Sequence, residues 1–144
     1  MATLERAIEL AARAHAGQRD KGGQPYILHP LRVMAAMTTD AGRIAAVLHD
    51  IVEDTSITFD DLVAEGFADD IVDAIRALTK FEGETREQAA KRIVRDPIAR
   101  AVKLADIADN MDLTRIPAPS ERDRARLREY AVAREILLAG PDAA

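Results

Sequence analysis

The helical spacing of its apolar residues is the feature that most limits what this chain can fold into. Apolar side chains recur three or four positions apart along nearly all of the 144 residues, and no run alternates apolar and polar residues for long enough to form a strand. This pattern predicts an all-α protein. The chain is long enough to bury one core, so we expect a single domain over residues 1–144, with a frayed tail at "PDAA".

Helix starts and ends can be predicted from capping signals. We expect the first helix over about Leu4 to Ala16, and a second beginning near Pro30, whose missing N–H needs no partner in a first turn. The stretch "LHDIVEDT" is expected to lie in the third helix. Together the segments predict a bundle of about seven to eight helices. The later starts carry these signals: Thr58 with Asp61, "TREQ", Asp96 with Pro97, and Ser120 with Asp123.

Composition and charge exclude several classes of function. The chain has no cysteine, which rules out disulfides and thiolate metal sites. Its formal net charge of −5 argues against a broad nucleic-acid surface, because such binding depends on clustered Lys and Arg. No apolar run reaches membrane-spanning length, and the start of the chain does not resemble a secretion signal. We therefore expect a cytoplasmic protein that binds neither nucleic acid nor membrane; a homo-oligomer is left open.

Acidic and imidazole side chains interrupt the apolar stretch "LHDIVEDT". On one helix, His49 with Glu53 and Asp50 with Asp54 would form i,i+4 pairs on adjoining strips of one side. Acids at a helix C-terminus oppose the macrodipole by roughly 0.3–1 kcal/mol each, and a bound cation would offset that cost. The alternative is a hydrogen-bonded core histidine followed by solvated helix-end charges. The His-Asp doublet alone does not decide between them.

Two more segments carry residues suited to a metal site. "YILHP" places His29 at the start of the second helix, and "KLADIADNMD" places Asp106 on a long helix. There Lys103, Asp106 and Asn110 share one face, beside an apolar stripe. An acid in that position is usually paired or coordinating. The sequence thus predicts a metal site assembled from three segments.

The segments "GQPYILHP", "LHDIVEDT" and "VKLADIADNM", in this order, resemble the HD phosphohydrolase superfamily. More narrowly they resemble the hydrolase domain of RelA/SpoT-type alarmone enzymes of the stringent response, over nearly the whole chain. The resemblance implies an HD-domain helical bundle with a divalent metal, usually Mn²⁺; the N/O donor set also suits Fe²⁺, Co²⁺ or Zn²⁺. The metal ligands it implies are His29, His49, Asp50 and Asp106.

The same resemblance implies a catalytic role for Glu53, Asp54 and Asn110. A metal lowers the pKa of bound water, Glu53 can take the proton, and Asp54 can orient the water or a ligand. The implied enzyme is a guanosine-3′,5′-bis(diphosphate) 3′-diphosphatase, which converts ppGpp or pppGpp to GDP or GTP plus pyrophosphate. We expect a hydrolase alone, since the chain has no room for the synthetase and regulatory domains of longer relatives.

The substrate side departs from the family pattern. Asp20 stands where a basic residue is common, and Ile107, Asp109 and Asp112 replace two basic residues and a histidine, which removes positive charge. An acidic protein must then place its remaining cations near the anionic substrate. The candidate substrate-binding residues are Arg19, Lys21, Lys91 (or Arg92), Lys103, Arg115 and Tyr130.

For Tyr130 and Lys103 a structural role is the alternative to a substrate contact, and for His15 a structural role is expected. Tyr130 either contacts the nucleoside or is buried with Leu127 and Ala131. For Lys103 an i,i+3 pair with Asp106 is favoured over a substrate contact. His15, at the end of the first helix, is expected to brace the following loop.

Three functions compete at this stage. The first is the guanosine alarmone hydrolase. The second keeps the metal and the phosphoester chemistry but acts on an adenine alarmone or another phosphorylated nucleotide, as Asp20 permits. The third is a non-catalytic helical binding or regulatory module. A lost ligand or a lost Glu-Asp pair would mark that third class, and this sequence retains both.

Overall fold

A computed structural model describes residues 1–141 as a helical bundle, which confirms the all-α prediction. That part of the chain holds eight α-helices of seven residues or more, one α-helix of four residues, and no strand. Most of the tail expected to fray, residues 142–144, lies outside the described residues. The helices are α1 (Leu4–Ala14), α2 (Leu28–Ala35), α3 (Asp40–Leu48), α4 (Ile51–Asp54), α5 (Phe59–Glu65), α6 (Asp69–Leu78), α7 (Arg86–Ile93), α8 (Pro97–Asn110) and α9 (Glu121–Ala139), with a 3-10 helix (Leu113–Arg115) before α9.

The predicted helix starts are confirmed by their caps. Thr58 caps α5 and Ser120 caps α9, each in a capping box with the acid three residues later. Asp96 accepts a hydrogen bond from the backbone N–H of Ala99 and caps α8, with Pro97 in the first turn. These bonds satisfy N–H groups that have no partner inside the helix.

The prediction of one continuous helix through "LHDIVEDT" is wrong. Helix α3 ends at Leu48 and α4 begins at Ile51, so His49 and Asp50 form a turn between them. Asp50 has φ −102° and ψ 0°, in the bridge region that turns favour over helix interiors. His49 with Glu53 and Asp50 with Asp54 are therefore not pairs on one helix face.

Smaller differences affect the first two helices. Helix α1 ends at Ala14, two residues earlier than predicted, because the chain turns at His15 and Gly17 has a left-handed φ of 85°. Helix α2 begins at Leu28, so Pro30 lies inside its first turn, where its missing N–H has no cost.

Helix α3 lies at the centre of the core. It contacts α1, α2, α6 and α8, and its residues from Ile44 to Leu48 are all buried. The chain therefore leaves the most buried helix of the bundle at His49, which places the following turn at the end of the core. Within residues 1–141, no helix has the length and apolar character that crossing a membrane requires.

Candidate metal centre

The four predicted metal ligands converge at the end of α3. The Nε2 atom of His29 lies 2.9 Å from Oδ1 of Asp106, and Nε2 of His49 lies 3.4 Å from the same oxygen. Oδ2 of Asp50 lies 3.1 Å from Nε2 of His49 and 3.7 Å from Nε2 of His29. His29, His49 and Asp106 each offer a donor atom within 4.8 Å of the other two. Residues from α2, the turn after α3, and α8 thus surround one point.

The second nitrogen of each imidazole has a hydrogen-bond acceptor. Nδ1 of His49 donates to the carbonyl oxygen of Ala46 at 2.6 Å, and Nδ1 of His29 donates to Oδ2 of Asp109 at 2.6 Å. Both rings therefore direct Nε2 to the centre of the cluster, as metal-ligating histidines do.

The donor set fits a divalent transition metal. Nε2 of His49 is buried and makes no well-aligned hydrogen bond among the described residues, although carboxylate oxygens of Asp50 and Asp106 lie 3.1 and 3.4 Å away. A buried polar atom without a partner is costly, and a cation at this point would supply one. Two imidazole nitrogens and carboxylate oxygens suit Mn²⁺, Fe²⁺, Co²⁺ or Zn²⁺. The side chains at this point thus match the divalent metal ion that the sequence implied.

Without a cation, ion pairs hold the cluster together. Burial by itself raises the pKa of Asp106, but Lys103 and the two histidines outweigh it and hold that pKa well below its usual range. Burial lowers the pKa of His49, but Asp50 and Asp106 outweigh it and raise that pKa well above its usual value. The pKa of His29 is also raised, since its bond to Asp106 outweighs burial. The carboxylates that would face a cation therefore also favour protons on the imidazoles, so protons and a cation would compete for the same nitrogens.

Tyr26 is a site residue that sequence reasoning missed. Its hydroxyl donates to Oδ2 of Asp50, and its ring packs against the rings of His15 at 5.0 Å and His29 at 5.8 Å between centroids. Burial, followed by the charge of Asp50, raises the pKa of Tyr26, so the phenol is a neutral donor. The available signal was its place in "YILHP", three residues before the ligand histidine.

Of the three predicted catalytic residues, Glu53 and Asn110 line the cavity and Asp54 does not. Glu53 lines the cavity and accepts a hydrogen bond from the backbone N–H of Lys80. Asn110 donates from Nδ2 to Oδ1 of Asp106 at 3.0 Å, so it orients a ligand oxygen. Asp54 does not line the cavity; burial, then the charges of Asp50 and Glu53, raise its pKa.

His15 braces the loop that follows α1, as expected. Its Nδ1 lies 2.8 Å from Oε1 of Gln18, and Nε2 of Gln18 donates to the backbone oxygen of Asp54 at 2.9 Å. This chain of contacts joins the end of α1 to the end of α4.

A cavity of about 480 Å³ opens above the ligand cluster. Most predicted substrate residues line it, but Lys91 does not, which corrects the expectation for that residue. Helix α7 presents Arg86, Ala89 and Ile93 to the cavity, and Lys91 lies on another face, 4.0 Å from Glu87. The predicted residues that line the cavity are Arg19, Lys21, Lys103, Arg115 and Tyr130.

Several cations of the cavity are paired with carboxylates. Nζ of Lys103 lies 3.0 Å from Oδ2 of Asp106, the i,i+3 pair that the sequence favoured. Nζ of Lys21 lies 3.2 Å from Oδ1 of Asp123. Arg115 pairs with Asp112 at 2.9 Å and also contacts Asp109. Positive charge at the cavity is therefore largely balanced within the protein.

The glycine-rich loop, residues 17–25, explains the Asp20 departure. Oδ1 of Asp20 accepts a hydrogen bond from the backbone N–H of Gln24 at 2.9 Å, and Arg19 donates to the carbonyl oxygen of Gly23 at 2.9 Å. Asp20 therefore stabilises the turn of the loop. Across the cavity, the guanidinium of Arg86 lies 4.8 Å from the centroid of the Tyr130 ring. Tyr130 lines the cavity and is at the same time half-buried against the core, so the structure supports both alternatives for it, and Arg86 is a cavity residue that the sequence did not indicate.

Comparison with known proteins agrees with this geometry. A family model described as an HD domain matches residues 7–137. The chain is 35% identical to a probable GTP pyrophosphokinase of Mycobacterium leprae over 90% of this chain and 18% of that protein. It is 35% identical to a guanosine-3′,5′-bis(diphosphate) 3′-pyrophosphohydrolase of Aquifex aeolicus over 75% of this chain and 17% of that protein. The chain thus spans less than a fifth of these curated relatives.

A solved structure resembles the whole bundle. It was described under the words "A metazoan ortholog of SpoT hydrolyzes ppGpp and plays a role in starvation responses". The match has a TM-score of 0.80 and 26% identity, and covers 99% of this chain and 89% of that one.

Proposed function

The chain belongs to the HD domain family, and from that membership we propose that it hydrolyses the 3′-diphosphate of guanosine alarmones with the help of a divalent metal. The products would be GDP or GTP and pyrophosphate. The observation that carries this proposal is the convergence of two imidazoles and two carboxylates at the floor of a cavity.

The relatives bear names of two opposite activities, and the match in length favours hydrolysis. The curated relatives of both names are several times longer than this chain, so neither activity need belong to the shared region on their account. The metazoan protein that hydrolyses ppGpp is covered over 89% of its chain. A hydrolase unit therefore needs little more than the bundle described above.

The proposed metal is Mn²⁺, held by His29, His49, Asp50 and Asp106. When bound, such a cation supplies a lower pKa for water and polarises a phosphoryl oxygen. The protein holds the ligand side chains in place before binding. Asn110 orients Asp106, Tyr26 orients Asp50, and the backbone carbonyl of Ala46 fixes the ring of His49.

Glu53 is the proposed general base. It lines the same cavity as the four proposed ligands, and its carboxylate takes a proton from the attacking water. The oxygen of that water joins the released pyrophosphate, and the 3′ oxygen of the ribose leaves with a proton from the solvent, to which Glu53 returns the proton that it accepted. Asp54 is near enough to Asp50 and Glu53 for their charges to help raise its pKa, and a cation nearby would relieve this repulsion.

The cavity has the size of a small-molecule site and cations in its lining. Its volume of about 480 Å³ falls within the range of ligand pockets. Arg19, Lys21 and Arg115 line it, and Tyr130 offers an aromatic ring. We propose that phosphates of the substrate exchange with the carboxylates that now pair with these cations.

A second candidate substrate is an adenine alarmone or another phosphorylated nucleotide. Asp20 favours it, because this carboxylate holds the glycine-rich loop at the position where the sequence departs from the pattern of the family that it resembles. The expected cytoplasmic location, the possible homo-oligomer and the single hydrolase domain stay predictions.

The test is product analysis with a panel of nucleotides. Purified protein is incubated with Mn²⁺ and with ppGpp, its adenine counterpart ppApp, or GTP, and the products are separated by chromatography. We expect pyrophosphate and GDP from ppGpp, and no turnover when EDTA replaces Mn²⁺. Faster turnover of ppApp would establish the second candidate. Absence of pyrophosphate from every nucleotide, by protein that binds Mn²⁺, would overturn the proposal.

A further inference from the structure

The carboxylate of Asp109 contacts three cationic or donor groups at the edge of the metal cluster. Its Oδ2 accepts a hydrogen bond from Nδ1 of His29 at 2.6 Å and from Nη2 of Arg32 at 3.0 Å. Its Oδ1 accepts from Nε of Arg32 at 2.8 Å and lies 3.2 Å from Nη2 of Arg115. In the sequence, Asp109 stands out merely as one of the residues that remove positive charge from the family pattern.

These contacts join α2 to α8 at two points, one at Asp106 and one at Asp109. Asp106 and Asp109 lie one turn apart on α8, and His29 and Arg32 lie one turn apart on α2. His29 takes part in both links, since Nε2 faces Asp106 while Nδ1 faces Asp109. The ring of this ligand is thus held from both sides by residues of α8.

A carboxylate at Nδ1 also decides which ring nitrogen can bind a cation. Both ring nitrogens of His29 face carboxylates, but Asp106 would itself bind the cation, whereas Asp109 would stay an ionised acceptor that keeps the proton on Nδ1. The lone pair of a neutral ring is then on Nε2, which faces the cluster. A negative partner makes the imidazole a stronger ligand and fixes its orientation. His49, by contrast, has a neutral backbone carbonyl as its partner.

We infer that Asp109 is a positioning residue of the metal centre, which acts through His29. Arg32 donates hydrogen bonds to both carboxylate oxygens of Asp109 in a bidentate contact. This contact fixes the orientation of the carboxylate that accepts from His29. This inference rests on the metal site of the proposed function. It concerns the affinity for the cation, which can be measured without any nucleotide.

The test is calorimetric titration of the protein with Mn²⁺ alone. Asp109→Asn keeps the shape of the side chain but removes its charge, and we expect Mn²⁺ to bind about 10–100-fold more weakly. Asp112→Asn is the matched control, because Asp112 contacts Thr114 and Arg115 and neither histidine. The control should bind Mn²⁺ with an affinity within about twofold of that of the wild-type protein. A change in an exposed charge that does not contact a metal ligand has an effect of about this size.

The outcomes separate this inference from the proposed function. If wild-type protein does not bind Mn²⁺, both fail. If wild-type protein binds Mn²⁺ and Asp109→Asn binds it equally well, the inference fails and the proposed function stands. Equal weakening in Asp109→Asn and Asp112→Asn would also overturn the inference, since a general loss of negative charge would then account for both.

A measurement on the wild-type protein covers the case in which Asp109→Asn does not fold. The chain has three histidines, so their ring nitrogens can be resolved by NMR in protein loaded with diamagnetic Zn²⁺. We expect His29 to carry its proton on Nδ1 and to bind the metal through Nε2. Metal bound to Nδ1, with the proton on Nε2, would overturn the inference.

Discussion

Glu53 differs from the metal ligands in being exposed at the cavity wall. Glu53→Gln retains a side-chain oxygen that can accept from the N–H of Lys80 but cannot take a proton from water. We expect unchanged Mn²⁺ affinity and a kcat lower by about 10²–10⁴-fold, the usual effect of losing a general base. Steady-state kinetics with ppGpp and a Mn²⁺ titration provide the two measurements. Glu82→Gln, on the exposed loop before α7, is the control and should keep full activity. Full activity in Glu53→Gln would refute the role of Glu53 as the general base.

The imidazoles of the metal-free site make cation binding depend on pH. Burial lowers the pKa of His49, but Asp50 and Asp106 outweigh it and raise that pKa, and His29 behaves in the same way. Below these raised values, protons on Nε2 compete with a cation; above them, Nε2 is free. We therefore expect Mn²⁺ affinity to rise with pH through the raised values and then to level off. Calorimetry in buffers of different ionisation enthalpy would detect the released protons, and an affinity independent of pH would contradict this account.

Thr39 caps the most buried helix of the bundle. Its hydroxyl accepts a hydrogen bond from the backbone N–H of Gly42 at 3.0 Å, at the start of α3. Thr39→Ala should lower the free energy of unfolding by about 1 kcal/mol, as loss of an N-cap usually does. Thr38→Ala, at the preceding exposed position, should change it by less than about 0.5 kcal/mol. Urea denaturation of both variants measures the difference, and equal stability of the two would contradict the capping role.

The helices show which local features can be predicted from sequence. Capping boxes at Thr58 and Ser120 join residues three positions apart, so the whole signal lies within a few letters. The break at His49 and Asp50 was not predicted, because the apolar spacing continues across it. The face of α7 was also missed: both Arg86 and Lys91 are cations on one amphipathic helix, and packing decides which of them meets the cavity.

For the whole molecule, a bound cation would connect α2, the turn after α3, and α8. A ligand that binds the folded state alone at 100 times its Kd stabilises that state by about 2.7 kcal/mol. For a domain of this size that corresponds to a rise in Tm of roughly 5–11 °C. Scanning calorimetry with excess Mn²⁺ and with EDTA would measure it. In Asp106→Asn the rise should vanish; the same rise in that variant would show that Mn²⁺ binds elsewhere.

The sequence by itself determined the class of fold, most helix starts, and the chemical types of the residues that converge as candidate metal ligands. These follow from spacings of three or four residues and from short motifs, which are local. The tertiary structure alone decided that His29 meets Asp109, 80 residues away, and that Tyr26 holds Asp50. Such contacts depend on how whole helices pack, and no local spacing encodes them. The same physical reason explains why Asp109 looked like a lost charge in the sequence, yet lies against a ligand in the fold.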